Sequence, residues 1–253
     1  MNERENLFRL VIKAGEILLH NGAEIFRVEE TMTIIAKSFG VTELDVFAIS
    51  NGIFMTMNYD GSHLSTQIKH IPISSVHLGR VAAVNNLSRE IAAGKYTIEE
   101  ALEELDKIST LPYASNSMRI LFAGAGSASF GYLLGGSAAD SMVAFVTGLF
   151  LYMFLIAADK MKIAKVLKNV FGSAGVTILS IALYSLGFGD SIDHIIIGAI
   201  ICLVPGVAIT TSVRDFFNGD YLAGTIHLVD AILVATCISV GVGVVLKAWN
   251  ILF

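Results

Sequence analysis

Uncharged hydrophobic runs of membrane-spanning length divide the second half of the chain. Four of them hold 18 to 21 residues between charged positions, and the fifth holds 26 and is interrupted by His227 and Asp230. A helix needs about 20 apolar residues to cross the hydrocarbon core of a bilayer. The pattern therefore predicts five transmembrane helices, in residues 120–139, 141–158, 169–189, 194–213 and 221–246.

The first half has the shorter periodicities of a soluble domain. Apolar residues recur at helical spacing in four segments, and Thr97 with Glu100 forms a capping-box pattern before the last of them. The predicted helices cover residues 6–20, 22–39, 74–93 and 98–109.

Three predicted strands lie between the second and third of these helices. They are Leu44–Ser50, Ile53–Tyr59 and Ser62–Ile71. The dipeptides Asn51-Gly52 and Asp60-Gly61 separate them, and both are typical of tight hairpin turns. The first half is therefore predicted to be a small α+β domain with a three-stranded antiparallel meander.

Composition and charge change near residue 115. The chain is 54% apolar and only 15% charged, whereas a soluble domain carries roughly 25% charged residues. Residues 1–115 hold 25 of the 39 acidic and basic side chains. We therefore predict two domains, 1–115 and 116–253, of which the second is transmembrane. This composition excludes a single soluble enzyme, and a net charge of −5 argues against a nucleic-acid partner.

The charges between the hydrophobic runs predict the orientation in the membrane. The connection after the second run holds four lysines, whereas those after the first and third runs hold only acids. Loops rich in Lys and Arg stay in the cytoplasm. We expect a cytoplasmic 1–115 domain, an external C-terminus after five crossings, and no signal peptide at the charged N-terminus.

Two features of the predicted membrane helices suggest more than packing. Pro205 and Gly206 lie near the middle of the fourth run, where proline breaks the helical hydrogen bonds. Broken helices mark binding sites in many transporters, although a kinked packing helix is the alternative.

Asp230, with His227 one turn before it, lies roughly 10 Å inside the fifth run. An intramembrane carboxylate is usually functional, so the two form a candidate titrating pair, with an interfacial structural pair as the alternative.

Small residues recur every four positions on the first predicted membrane helix, at Ala123, Ser127, Gly131 and Gly135. Such a stripe lets another helix approach closely. Close packing is the simpler interpretation, and a stripe that lines a substrate path is the alternative.

The 1–115 domain shows no catalytic, nucleotide-binding or metal-binding motif, so we expect neither enzymatic activity nor a metal or cofactor. Glu24, Arg27 and Glu30 lie on one face of the second predicted helix. They are interpreted as a solvated face with local ion pairs, or as a gate at the cytoplasmic mouth of a transport path.

Several short motifs, in order and spacing, resemble the threonine/serine exporter family over residues 10–245. The matching segments are Ala14-Gly15-Glu16, Gly22 to Glu30, His77 to Arg80, Asn85 to Ile91, Thr97 to Ala101, Leu203 to Gly206, Arg214-Asp215, Asn218 to Asp220 and Gly224. The resemblance implies a multi-pass protein of the bacterial inner or plasma membrane that exports small amino acids on an ion gradient. It adds Arg214, Asp215 and Asp220 to the candidate substrate or ion pathway.

Full-length members of that family carry about four further membrane helices after the part seen here. The resemblance therefore implies the two-component form, in which a separate small membrane subunit supplies that region. It also leaves the substrate open, because a small dicarboxylate such as succinate is an alternative to threonine and serine.

The leading hypothesis is a subunit of a secondary exporter of small amino acids. Its expected partners are the small membrane subunit, the lipid bilayer, a small-molecule substrate and further copies in an oligomer. One alternative is a membrane-anchored hydrolase that uses the 1–115 domain, although no nucleophile motif supports it. Another is a regulatory or scaffolding subunit of a transporter.

Overall fold

The computed structural model describes residues 3–58, 64–71 and 76–252. The helices are α1 Glu3–His20, α2 Ile25–Ser38, α3 Leu78–Ala92, α4 Ile98–Ser109, α5 Asn116–Leu133, α6 Ala138–Lys160, α7 Lys165–Ser185, α8 Ile192–Ile200, α9 Gly206–Phe217 and α10 Tyr221–Leu252. The strands are β1 Glu43–Ile49, β2 Gly52–Asn58 and β3 Leu64–His70. The chain divides into two compact units, Met1–Tyr113 and Ala114–Phe253.

The three strands form an antiparallel sheet in the order β1-β2-β3, which confirms the predicted meander. One face is buried, with Ala48, Ile53, Met55 and Met57 as its main apolar side chains. This face packs against α1 and α2, whose own apolar stripes were visible in the sequence. Burial of alternate strand positions against two amphipathic helices holds the first unit together.

The first hairpin turn differs from the prediction. Ile49 pairs with Gly52, so the two-residue turn is Ser50-Asn51, and Gly52 is the first residue of β2. A Cβ on Gly52 would lie 3.2 Å from the carbonyl oxygen of Lys69 on β3, which explains the glycine as a close approach within the sheet. The predicted turn at Asp60-Gly61 lies outside the described residues.

Two helices begin later than predicted, for local reasons. α2 begins at Ile25 because Gly22 has a φ of +82°, a backbone turn that no helix contains. α3 begins at Leu78, where the His77 side chain accepts a hydrogen bond from the Arg80 amide at 3.2 Å. α4 begins as predicted, with the capping box of Thr97 and Glu100 formed in both directions.

Arg80 holds the last residues of the first unit in place. Its guanidinium donates to the carbonyl oxygen of Leu111 through two nitrogens, at 3.1 and 2.6 Å, and lies over the ring of Tyr113. We expect Arg80→Ala to release this segment, since hydrogen bonds from a charged group are worth about 1.5–3 kcal/mol. Limited proteolysis after Tyr113 should then run about tenfold faster than in the unchanged chain.

The control for that experiment is Arg89→Ala on the same helix, whose guanidinium bonds to Asn86 within α3 itself. This substitution should leave the cleavage rate unchanged. Equal cleavage of both variants would show that Arg80 does not hold the segment.

The second unit is helical, and three of its helices are long and apolar enough to cross a membrane: Ala138–Lys160, Lys165–Ser185 and Tyr221–Leu252. The other two predicted membrane spans do not correspond to helices of this kind. The first falls on α5, which has 18 residues rich in glycine, alanine and serine. The fourth is divided between α8, of nine residues, and α9, of twelve. The count of five spans therefore stays a prediction.

The small residues of α5 are packing residues in this structure. Ser127 is fully buried, and a Cβ added to Gly148 of α6 would lie 2.6 Å from the Ser127 Cβ. A Cβ on Gly198 of α8 would lie 2.9 Å from the Cα of Gly131. Backbones approach this closely only where side chains are missing or small, so the stripe at residues 123, 127 and 131 serves close helix contact.

Asp140 links the start of α6 to the connection between α7 and α8 in the second unit. The sequence did not predict this role. Its carboxylate accepts hydrogen bonds from the backbone amides of Ser137 at 2.9 Å, Asp190 at 2.7 Å and Ser191 at 2.9 Å. It thereby caps α6 and fixes the connection between α7 and α8. The residue is almost completely buried, so each amide depends on this acceptor.

Replacing Asp140 with alanine should strongly destabilise the protein. It leaves three amides without their acceptor, and one such loss costs about 1–3 kcal/mol. We expect the free energy of unfolding in detergent to fall by about 3 kcal/mol. Asp193→Ala, at an exposed acid in the first turn of α8, is the control and should be nearly neutral. If the two variants were equally stable, the hydrogen bonds of the three amides to Asp140 would not stabilise the protein.

Candidate functional site

The fourth hydrophobic segment is interrupted at Pro205. α8 ends at Ile200, and short turns follow, in which the Leu203 amide donates to the Ile200 carbonyl at 2.8 Å. Pro205 has φ −81° and ψ 49° and precedes α9, and no side chain caps the start of that helix. The first amides of α9 therefore lie at a helix N-terminus that attracts negative charge.

The two halves of this segment have different surroundings. α8 packs on α5, α6 and α7, whereas α9 packs on α10. At the break itself, Leu203 joins a buried apolar cluster, whose other core members are Leu151, Val176, Ala199, Val234 and Ile238. The Cys202 sulfur lies 3.8 Å from the Ser127 hydroxyl, which joins the break to α5.

α9 and α10 form a helical hairpin that contains a titratable pair. The Asp215 carboxylate is buried, and its Oδ2 lies 2.8 Å from Nδ1 of His227. Beside this pair, the Ser212 hydroxyl donates to the Gly224 carbonyl at 2.7 Å. A Cβ on Gly224 would lie 2.8 Å from the Phe216 ring, so glycine allows the two helices to meet here.

The structure does not bring His227 and Asp230 together as a pair. His227 bonds to Asp215, while both carboxylate oxygens of Asp230 lie 2.8 Å from Nζ of Lys165, the first residue of α7. Both side chains of this ion pair are partly exposed, 56% for Lys165 and 44% for Asp230. The predicted pairing of His227 with Asp230 is therefore wrong, because each residue has a different partner, and the place of each residue in a substrate or ion pathway stays a prediction.

The depth of Asp230 in a membrane stays a prediction. α7 has 21 residues and is roughly 30 Å long, about the thickness of the hydrocarbon core. α10 has 32 residues, of which the nine residues 221–229 precede Asp230.

The remaining candidates lie at the hairpin turn. The Asp220 carboxylate accepts a hydrogen bond from the Ala223 amide at 3.2 Å and so caps α10. Arg214 is exposed in the last turn of α9. These residues are near Asp215 in sequence, and Asp215 is in contact with His227.

The three candidates in the first unit lie on or beside α2. Arg27 and Glu30 form an exposed ion pair at 3.3 Å, and the Arg27 guanidinium lies over the Phe26 ring. Glu24 is the residue before the first turn of α2. This arrangement is that of a solvated helix face, and a gating role for these residues stays a prediction.

Sequence reasoning missed two buried polar side chains on α7. The Nδ2 atom of Asn169 and the hydroxyl of Ser180 have no hydrogen-bond partner among the described residues. Helical spacing could have found them, because positions 169, 173, 177 and 180 follow one face of α7 and all four are polar and buried. Within residues 3–58, 64–71 and 76–252, no group of three side chains is arranged to hold a metal ion.

Membrane-length helices around an interrupted segment, with a buried acid after the break bonded to a histidine of the next helix, are typical of the membrane-transporter class. Comparison with known proteins agrees with this class. The chain belongs to the threonine/serine exporter family (ThrE), whose family model matches residues 9–249. It is a membrane protein of a family of exporters.

Individual relatives are distant but extend over nearly the whole chain. The "Threonine/serine exporter" of Corynebacterium glutamicum is 23% identical over 97% of the chain and 52% of its own length. The "Probable threonine/serine exporter" of Mycobacterium tuberculosis is 23% identical over 94% of the chain and 45% of its own length. The chain thus spans about half the length of these two relatives.

A shorter relative matches over most of both chains. The "Probable succinate transporter subunit YjjP" of Klebsiella aerogenes is 22% identical over 99% of the chain and 96% of its own length. No solved structure matches the chain significantly.

Proposed function

We propose that the chain is a subunit of a secondary exporter of small amino acids such as threonine and serine. The observation that carries the proposal is the interrupted segment at Pro205 and Gly206, with the Asp215–His227 pair on its second half, in a chain of the exporter family. Helix ends exposed by a break bind charged substrate groups in other transporters. An imidazole can both accept and donate a proton, so His227 is suited to carry a coupled proton.

We propose that five segments cross the membrane, with α8, the break and α9 together forming the fourth. Lys160, Lys162, Lys165 and Lys168 lie in or beside the α6–α7 connection, and lysine-rich connections remain in the cytoplasm. This arrangement has a cytoplasmic first unit and an external C-terminus. The sequence carries no phosphate-cradling motif, which favours an ion gradient over ATP as the energy source.

The proposal includes a separate small membrane subunit as the partner. The long relatives named as threonine/serine exporters are matched over about half their length, and the relative matched over nearly all of its length is named a transporter subunit. We expect the partner to supply membrane helices that correspond to the second half of the longer relatives. An assembly with several copies of the chain stays a prediction.

Succinate export is the second candidate, favoured by the names of two relatives. The Klebsiella aerogenes relative and one from Escherichia coli, 25% identical over 96% of the chain and 94% of its own length, are both named "Probable succinate transporter subunit YjjP". Threonine, serine and succinate all carry a carboxylate, so one site chemistry serves either candidate.

The test is an efflux assay in cells that lack their own exporters. Cells loaded with labelled threonine, serine or succinate should release at least one of them only when the chain and a four-helix membrane protein from the neighbouring gene are both present. Collapse of the proton gradient should slow that release. Release at the background rate for all three substrates would contradict the exporter, and release by the partner alone would favour the regulatory or scaffolding alternative.

A further inference from the structure

Lys165 and Asn169 place two hydrogen-bond donors one turn apart on α7. Residues four apart on a helix lie on the same face, with about 5–6 Å between their Cβ atoms. Lys165 is the first residue of the helix, and its ammonium group is held by the Asp230 carboxylate on α10 with both oxygens at 2.8 Å. The cation and its partner are both open to solvent.

Asn169 is buried and lacks a hydrogen-bond partner. It is 7% exposed, and its Nδ2 has no acceptor among the described residues. An unpaired amide in an apolar interior is unfavourable, and more so in a bilayer, where no water replaces the missing acceptor. An apolar side chain of similar size would avoid this cost, so the amide group points to a ligand that provides an acceptor oxygen.

Asn169 lies on α7 one turn after the exposed Lys165. One turn further along the helix, a Cβ on Gly241 would lie 2.1 Å from the Ser173 hydroxyl oxygen, so α7 and α10 are in direct contact there. The buried cluster around Leu203 includes Val176, two turns beyond Asn169. Asn169 therefore lies between an exposed ion pair on one side and closed helix packing on the other.

The break in the fourth segment limits how much of the bundle α8 covers. α8 has nine residues and is roughly 13 Å long, which is shorter than α5, α6 and α7, on which it packs. Beyond the break, α9 packs on α10, with Ser212 and Asp215 as its buried residues.

We propose that Lys165 and Asn169 bind the carboxylate of the transported substrate. In this site the substrate carboxylate replaces Asp230 on the Lys165 ammonium and accepts a hydrogen bond from Nδ2 of Asn169. Asp230 occupies the cation when no substrate is bound, and so acts as an internal competitor. The inference rests on the proposed function and identifies the chemical group, a carboxylate, that amino acids and succinate share.

Ligand binding to the purified full chain, alone and with its proposed membrane partner, tests the site. The probes are L-serine, succinate and ethanolamine, which is serine without its carboxylate, each measured by equilibrium binding and by the rise in melting temperature. We expect serine or succinate to bind and ethanolamine not to bind. Asn169→Leu should weaken binding about tenfold, since a hydrogen bond to a charged group is lost, and Asn169→Asp should weaken it further by repulsion.

Two additional variants test the site, one expected to tighten ligand binding and one expected to leave it unchanged. Asp230→Asn removes the internal competitor and should tighten binding about tenfold. If Asp230 instead couples transport to an ion, the substitution would weaken or uncouple transport. Ser180→Ala is the matched control, because it removes the other unpartnered buried group of α7 and should leave affinity within about twofold. Asn169→Leu should also raise the melting temperature of the ligand-free chain, since the unpaired amide is removed.

The outcomes of these experiments distinguish failure of the proposed carboxylate site from failure of the proposed exporter function. Serine or succinate binding that is unchanged in Asn169→Leu and Asn169→Asp would overturn the site while the exporter proposal stands. Ethanolamine binding as tight as serine binding would also overturn it. Failure of the unchanged chain to bind any of the carboxylates, with or without the partner, would count against both proposals.

Discussion

Efflux of the loaded substrate should fall at least tenfold, and lose its dependence on the proton gradient, when Asp215 is replaced by asparagine. Asp215 is 3% exposed, and its Oδ2 lies 2.8 Å from Nδ1 of His227. A charged carboxylate makes a stronger hydrogen bond to the imidazole than a neutral amide does. The substitution keeps the size of the side chain and removes the charge, so proton coupling should be lost while the fold is kept.

The measurement is the initial efflux rate from loaded cells at several external pH values. His227→Gln should have a similar effect, since it removes the imidazole that bonds to Asp215. Asp193→Asn is the control, because Asp193 is an exposed acid in the first turn of α8. Unchanged pH dependence in Asp215→Asn would remove the pair from the coupling mechanism, and equal losses in all three variants would indicate a structural role.

Gly241→Ala should cause the largest loss of stability among the glycine-to-alanine substitutions in α10. The new Cβ would lie 2.1 Å from the Ser173 hydroxyl oxygen and 2.5 Å from the Val170 carbonyl oxygen. The second contact is with backbone, so the clash cannot be relieved by a side-chain rotation, and α7 and α10 must separate. Overpacking of this kind costs about 1–3 kcal/mol, which unfolding in detergent micelles measures.

Gly243→Ala is the matched control on the same helix. A Cβ at Gly243 meets nothing within 4 Å, and alanine is favoured over glycine inside a helix by up to about 1 kcal/mol. This variant should therefore be neutral or slightly more stable than the unchanged chain. If Gly241→Ala is as stable as Gly243→Ala, the close contact of α7 with α10 does not exist in the folded protein.

Much of the local structure was predictable because local patterns determine it. The meander follows from alternation in strands 43–49 and 52–58. The start of α4 follows from the chemistry of Thr97 and Glu100 within one turn. Turn details were less predictable, since Gly52 is explained by the nearby Lys69 carbonyl of another strand and not by the turn itself.

The candidate site was predictable only in part. Proline at position 205 acts on its own backbone, so the interruption of the fourth segment was visible in the sequence. The sequence did not show which side chains the charged residues contact. His227 and Asp230 are three positions apart on α10, yet one bonds to α9 and the other to α7.

The sequence by itself determined the family, the apolar segments and the position of the break, because run length, periodicity and proline geometry depend on neighbouring residues. The tertiary structure alone decided which helix faces meet. A helix turns by about 100° per residue, so a small rotation changes the partner of every side chain. For that reason only the folded chain shows Asp215 beside His227 and Asn169 buried without an acceptor.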